Sequence, residues 1–226
     1  MRKYKRYRKN NSAYIFEAIA IIAFMVTILM IPDIVHYSMD EKKSTKILDP
    51  SDLSRINEDY YCSLFIPDSD IAFPVVRGTD NLKYLHTAVT GEESELGAIF
   101  MDYRCDASTL PHTIIYGHDA QGFDGGRLMF GQLRHFLEED FLQNHTEICL
   151  YKDDKVKHYN IFAVKVTDIN DEAYNLDFSD ELEFHEFANQ MGAPENTEEI
   201  LTLSTCLGGE NNMRLLVQGA LVHEYK

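Results

Sequence analysis

From residue 60 onward the chain is a succession of short β-rich runs cut apart by turn clusters, and this texture limits its fold more than any other feature. The runs fall at 61–66, 72–76, 97–101, 113–116, 147–151, 156–168, 200–204 and 214–223. Pro67-Asp-Ser-Asp, Asp153-Asp-Lys and Gly208-Gly-Glu-Asn-Asn separate them, and the last two read as hairpin connections. Helical spacing shows in two places. Residues 128–141 carry Leu128, Phe130, Leu133, Phe136, Leu137 and Phe141, and residues 180–191 carry Leu182, Phe184, Phe187 and Met191. About eight short strands with two inserted helices do not make alternating βαβ units. They predict a mainly β fold with added α, an eight-stranded β-barrel with helical decoration. No internal repeat interrupts the pattern.

Upstream the texture differs. Residues 1–12 hold Arg2, Lys3, Lys5, Arg6, Arg8 and Lys9 and no acid. From Ala18 to Ile31 the sequence AIAIIAFMVTILMI is apolar apart from Thr27, and with its flanks it approaches the ~20 residues of a bilayer-crossing helix. Glu17 lies near the basic end, where its carboxylate reaches the interface. A cleaved signal would end in small residues, and here Met30-Ile-Pro-Asp-Ile-Val stands instead. The expectation is a basic cytoplasmic tail over 1–12 and a retained transmembrane anchor over 13–35, with the remainder outside. A juxtamembrane linker and a helix starting near Pro50-Ser51-Asp52 fill 36–58. The folded body is 59–226.

Charge divides the chain at the same place. The whole carries −16, but six of its 21 basic side chains and none of its 37 acids lie in residues 1–12, so the rest stands at −22. A body of that sign repels phosphate backbones, which argues against nucleic acid as a partner.

Four cysteines, Cys62, Cys105, Cys149 and Cys206, fall in the exported body. Their spacing matches neither a disulfide framework nor a CxxC metal site, and a body of this size needs no staples. Cys62, Cys105 and Cys149 read as small buried hydrophobes. Cys206 stands apart because it closes a predicted strand, in Glu199-Ile-Leu-Thr-Leu-Ser-Thr-Cys206, ahead of Leu207-Gly-Gly.

Two other segments share that design. In Thr113-Ile-Ile-Tyr-Gly-His118 an apolar strand runs through a glycine into a histidine, and Arg214 opens the last strand, eight residues after Cys206. The intervening hairpin brings Cys206 and Arg214 onto neighbouring strands. A thiol, an imidazole and a guanidinium form a coherent set: a nucleophile, a proton carrier and a stabiliser of developing negative charge. Singly, each has an ordinary reading as a core thiol, one of nine histidines or a surface cation.

Together they resemble a known family. Thr202-Leu-Ser-Thr-Cys206 followed by Arg214 is similar to the TLxTC…R signature of sortases, the membrane-anchored cysteine transpeptidases of Gram-positive bacteria, and Tyr116-Gly-His118 is similar to their histidine motif. Phe73-Pro-Val-Val-Arg-Gly-Thr-Asp-Asn-Leu-Lys-Tyr-Leu, Gly97-Ala-Ile-Phe-Met-Asp102, Gly126-Arg-Leu-Met-Phe-Gly-Gln-Leu133 and the helix before the cysteine strand resemble class B. The likeness spans about residues 50–223. It departs at Asp119-Ala-Gln-Gly-Phe-Asp, which is longer than the class B segment, and at Leu207-Gly-Gly.

The resemblance implies a sortase-type barrel for 59–226 and a set of roles. Cys206 attacks the carbonyl of a threonine in the sorting signal of an exported protein and forms a thioacyl enzyme. His118 is the general acid and base. Arg214 donates to the oxyanion or holds the substrate backbone. Ser204 and Thr205 are further candidates for lining the substrate site. The acceptor is an amine of a peptidoglycan precursor or of a pilin. No cofactor or metal is implied, and Glu92-Glu93, Glu138-Glu-Asp140 and Glu198-Glu199 read as solvated faces, without EF-hand spacing. Two rival readings remain: a cysteine endopeptidase with water as acceptor, and a non-catalytic surface-binding module on the same fold.

Overall fold

The computed structural model describes residues 50–105, 110–208 and 212–225. The expected basic tail and membrane segment, 1–35, lie outside the described residues. Among those described, no helix is long and apolar enough to cross a membrane.

The first described element, α1 (Pro50–Ile56), starts on a proline, whose fixed φ suits the first helical position and whose missing N–H no helix bond requires. It buries Leu53, which is 2% exposed. Ten strands follow: β1 (Tyr60–Phe65), β2 (Ala72–Val76), β3 (Ile99–Met101), β4 (His112–Gly117), β5 (Asp119–Gln121), β6 (Arg127–Met129), β7 (Glu147–Lys152), β8 (Lys155–Thr167), β9 (Ile200–Cys206) and β10 (Arg214–Tyr225). Eight of them close a barrel in the order β1-β2-β3-β4-β9-β10-β8-β7, and β5 and β6 pair by themselves. The mainly β barrel expected from the sequence is therefore present.

Two junctions of the barrel are parallel, β2 with β3 and β4 with β9. A parallel pair needs a long crossover. The one between β4 and β9 carries β5 to β8 and both later helices. The β7–β8 hairpin turns on Asp153 and Asp154, with φ of 50° and 60° between the paired Lys152 and Lys155. Two successive left-handed residues match the right-handed twist of the flanking strands, and aspartate tolerates that conformation.

Alternation along the strands fills the barrel. Ile148 and Leu150 of β7, Leu201 and Leu203 of β9, and Leu215 and Val217 of β10 join Leu64, Val75, Ile99 and Ile115 in one core. Outside it, α3 (Glu181–Met191) packs Phe184, Phe187 and Ala188 against Ile200. Its ends are written in the sequence: the Asp180 side chain accepts from the Glu183 N–H at 2.9 Å, and Gly192 closes the helix at φ 82°.

Segment 128–141 differs from its expected helix. It becomes the end of β6, a 3-10 helix over Phe130–Leu137, and α2 (Glu139–Asn144). The buried residues Phe130, Leu133 and Phe136 recur every third position, which is the period of a 3-10 turn rather than of an α-helix.

Candidate active site

The register of three neighbouring strands assembles the site. In the parallel β4–β9 ladder, Tyr116 pairs with Ser204 and Gly117 with Thr205, so one step further along come His118 and Cys206. In the antiparallel β9–β10 ladder, Arg214 pairs directly with Cys206. Residues opposite one another share a face, and Leu201 and Leu203 face the core, so Thr202, Ser204 and Cys206 emerge on the outer face. A cleft of about 400 Å³ there is lined by His118, Cys206, Arg214, Ser204, Thr205 and Tyr174, with Asp102, Tyr116 and Leu85 in its wall. All five residues expected from the sequence meet in it. A larger groove of about 1030 Å³ lies elsewhere, beside Lys157, Glu199 and Phe184, and contains none of the five. The smaller cleft is the candidate site, because it holds the reactive groups.

Cys206 differs from the other thiols in access. All four cysteines are free, but Cys62, Cys105 and Cys149 are buried and Cys206 is half-buried. Burial pushes the thiols of Cys62 and Cys149 up to about 12 and that of Cys105 to about 11, which keeps them protonated.

His118 is oriented by a backbone carbonyl. Its Nε2 lies 2.8 Å from the oxygen of Leu85, which only accepts, so Nε2 carries a proton and Nδ1 is the nitrogen free to exchange one. Gly117 makes this placement possible. A Cβ there would lie 2.4 Å from Ile99 Cδ1 and 2.7 Å from Phe130 Cγ, so only glycine lets the strand end lie flat on the core.

Arg214 donates from Nη1 to its neighbour's carbonyl, Met213, at 3.1 Å, and no described carboxylate is paired with it. The rest of its fork is available to an anion.

Ser204 and Thr205 occupy opposite faces of β9. The Ser204 hydroxyl shares a 2.8 Å hydrogen bond with the Tyr174 hydroxyl, on the Cys206 side. Thr205 donates to the Gly117 carbonyl at 2.8 Å and so ties the cysteine strand to the histidine strand. Its hydroxyl serves that junction.

Three features went unseen in the sequence. Tyr174 reaches the cleft from a 3-10 turn, Glu172–Tyr174, capped by Asp171, whose side chain accepts from the Ala173 N–H at 2.9 Å. Burial raises the Tyr174 hydroxyl, so it stays protonated. Asp102 is fully buried. Burial alone would raise its carboxyl, yet the Arg104 guanidinium at 3.0 and 2.9 Å, the Arg104 N–H, Asn81 and Tyr116 together hold it below the usual range. Its oxygens are committed to bracing the wall. Arg134, finally, grips the Asp119 carboxylate at 3.0 and 2.5 Å and the Leu207 carbonyl at 2.6 Å. One side chain thus clasps the residue after His118 and the residue after Cys206. The Asp171-x-Ala173 cap and an arginine set among apolar neighbours were the only local signals for these.

Known proteins resemble the chain over this same region. The sortase domain model matches residues 64–222. Sortase B of Listeria monocytogenes is 31% identical over 183 residues, covering 76% of this chain and 73% of that protein. Sortase B of Staphylococcus aureus is 28% identical over 184 residues, covering 75% and 73%. Among solved structures, Clostridium perfringens sortase B superposes with a TM-score of 0.69 at 27% identity, covering 77% of this chain and all of that one.

Proposed function

Because this chain belongs to the sortase family, as a class B cysteine transpeptidase, we propose that it cleaves a threonine-containing sorting signal of exported proteins and transfers them to a cell-wall amine. The acceptor amine belongs to a peptidoglycan precursor or to a pilin. The observation that carries the reading is the juxtaposition of the half-buried thiol Cys206 with Arg214 opposite it and His118 beside it.

In the proposed reaction the Cys206 thiol gives its proton to His118 Nδ1, the thiolate so formed attacks the threonine carbonyl carbon, and the negative charge passes to the carbonyl oxygen. The Arg214 fork donates to that oxyanion. When the tetrahedral species collapses, the carbon–nitrogen bond breaks and the departing amine takes a proton from His118 Nδ1, the nitrogen not bound to Leu85. A thioacyl enzyme remains. The incoming amine attacks it, returns a proton to Nδ1 and expels the thiolate. His118 never has to turn, because Leu85 holds its other nitrogen throughout.

The same reading gives the N-terminal region its task. A basic tail over 1–12 and an anchor over 13–35, followed by a linker, tether the catalytic domain on the outer side of the membrane, where exported substrates pass.

The test is to incubate the full chain with peptides carrying threonine sorting motifs, with and without an amine such as triglycine. Cleavage, an acyl adduct on Cys206 by mass spectrometry and an amine-dependent ligation product are expected. Cleavage by Cys206→Ala at the parent rate overturns the mechanism, and product that ignores the amine reduces the activity to hydrolysis.

A further inference from the structure

At the far end of β10 from Arg214, a second group of reactive side chains crosses three strands of the barrel. Cys149 of β7 pairs with His158 of β8, and His158 pairs in turn with His223 of β10. The nine steps along β10 from Arg214 to His223 separate this row from the cleft by roughly 30 Å of strand. Ile148 and Leu150 turn into the core, so Glu147 and Cys149 share the outer face with His158. The Cys149 Sγ lies 3.5 Å from His158 Nδ1, and Nδ1 lies 2.8 Å from Glu147 Oε1. One donor atom from each of the three sits within 4.8 Å of the others. The rings of His223 and Tyr225 pack on His158, His223 stacked at 4.5 Å and Tyr225 edge-on at 5.5 Å.

Nothing in the proposed transpeptidase chemistry uses this group, in which Cys149 is buried while Glu147 and His158 are partly exposed. We propose that Glu147, Cys149 and His158 form a binding site for a divalent transition metal of the zinc kind, with solvent in the fourth position. The donor set of one sulfur, one nitrogen and one oxygen suits such a borderline ion better than calcium or magnesium. The spacing suits it too. Tetrahedral arms of about 2.3 Å to sulfur and about 2.0 Å to nitrogen put those two atoms about 3.5 Å apart, which is the separation present. The carboxylate has to withdraw by about half an ångström to complete the tetrahedron. Glu147, 31% exposed, has the room, and His158, 22% exposed, leaves a path for the ion and for water.

Protons balance simply. The His158 Nδ1 proton, now donated to Glu147, moves to Nε2 as the metal takes Nδ1, and the Cys149 thiol proton leaves to solvent. A metal there links β7 to β8 at the end of the barrel remote from the cleft.

Cobalt(II) added to the full chain carrying Cys206→Ala tests the site with the catalytic thiol removed. One equivalent with tetrahedral visible bands and a thiolate-to-cobalt band is expected, together with a zinc-dependent rise in Tm. Cys149→Ser abolishes the thiolate band. Should that variant fold poorly, His158→Asn is expected to remove the tetrahedral bands on its own, and Glu147→Gln to weaken affinity by more than the roughly 10–100-fold of a lost outer partner. Absence of a thiolate band in the Cys206→Ala chain, or its persistence in Cys149→Ser, overturns the proposal.

Discussion

Arg134 donates a 2.6 Å hydrogen bond to the carbonyl of Leu207, the residue after Cys206, while the same guanidinium holds Asp119, the residue after His118. The clasp spans the two strand ends on which the proposed chemistry depends, and it draws on a bidentate geometry that only arginine supplies. Arg134→Gln is expected to lower kcat by about tenfold to a hundredfold, the cost of roughly an ångström of misplacement, with KM for the peptide little changed. Steady-state kinetics of the variant check this, and an unaltered kcat would show that the barrel alone fixes the two ends.

Arg214 offers a second test of geometry against charge. Arg214→Lys keeps the cation opposite Cys206 but loses the planar fork. If the fork serves the oxyanion, kcat falls by about 10²–10³. A lysine variant with near-parent turnover would mean that bulk positive charge suffices.

Access to the thiols predicts a labelling pattern. In the folded protein a thiol-directed probe should modify Cys206 and spare Cys62, Cys105 and Cys149, which are buried and held protonated. Intact-protein mass spectrometry should give one adduct in buffer and four in denaturant.

His112 sets a pH dependence of stability. It is fully buried in β4, its Nδ1 donating to the Asn175 carbonyl at 2.7 Å and its Nε2 accepting from Thr202 at 2.9 Å, with Gln218 donating to Thr202 at 3.1 Å. Burial lowers its pKa from 6.5 to about 4. The folded-state value is depressed, so the unfolded chain takes up the proton first as pH falls. Stability is then full above about 6.5 and drops toward 4, by on the order of 3 kcal/mol. Asp102, whose carboxyl is held below its ordinary 3.8, adds a loss only at lower pH. Denaturant melts across pH 7 to 4 should show the slope, and His112→Asn should flatten it.

Much of this architecture is legible in the chain because strands and hairpins leave local marks. Alternation gave the barrel strands, Asp153-Asp154 the β7–β8 turn, and the eight-residue interval from Cys206 to Arg214 the pairing at the site. β5, Asp-Ala-Gln, and β6, Arg-Leu-Met, are three residues long and, unlike the equally short β3, lie in no longer β-rich run, so neither leaves a period to read. The 3-10 helix was read as α because apolar residues three apart satisfy both patterns over a short span. Arg134, Tyr174 and the Asp102 cluster escaped for another reason: their partners lie 73, 30 and 21 residues away in sequence, and only the closed barrel brings them near.

Closure of the barrel also limits how a peptide can be recognised. A ring of paired strands leaves an extended polypeptide room to lengthen the sheet only where a ladder stops short of its strand's end. Among the described strands, the β5–β6 ribbon keeps an outer edge on each side, the β7–β8 ladder stops at Asn160 and the β9–β10 ladder at Ala220, and β5 begins at the residue after His118. An incoming chain that needs main-chain partners thus finds a strand edge beside the proposed proton carrier. Substitutions in that small ribbon would leave the pairing of the strands that carry Cys206 and Arg214 as it is.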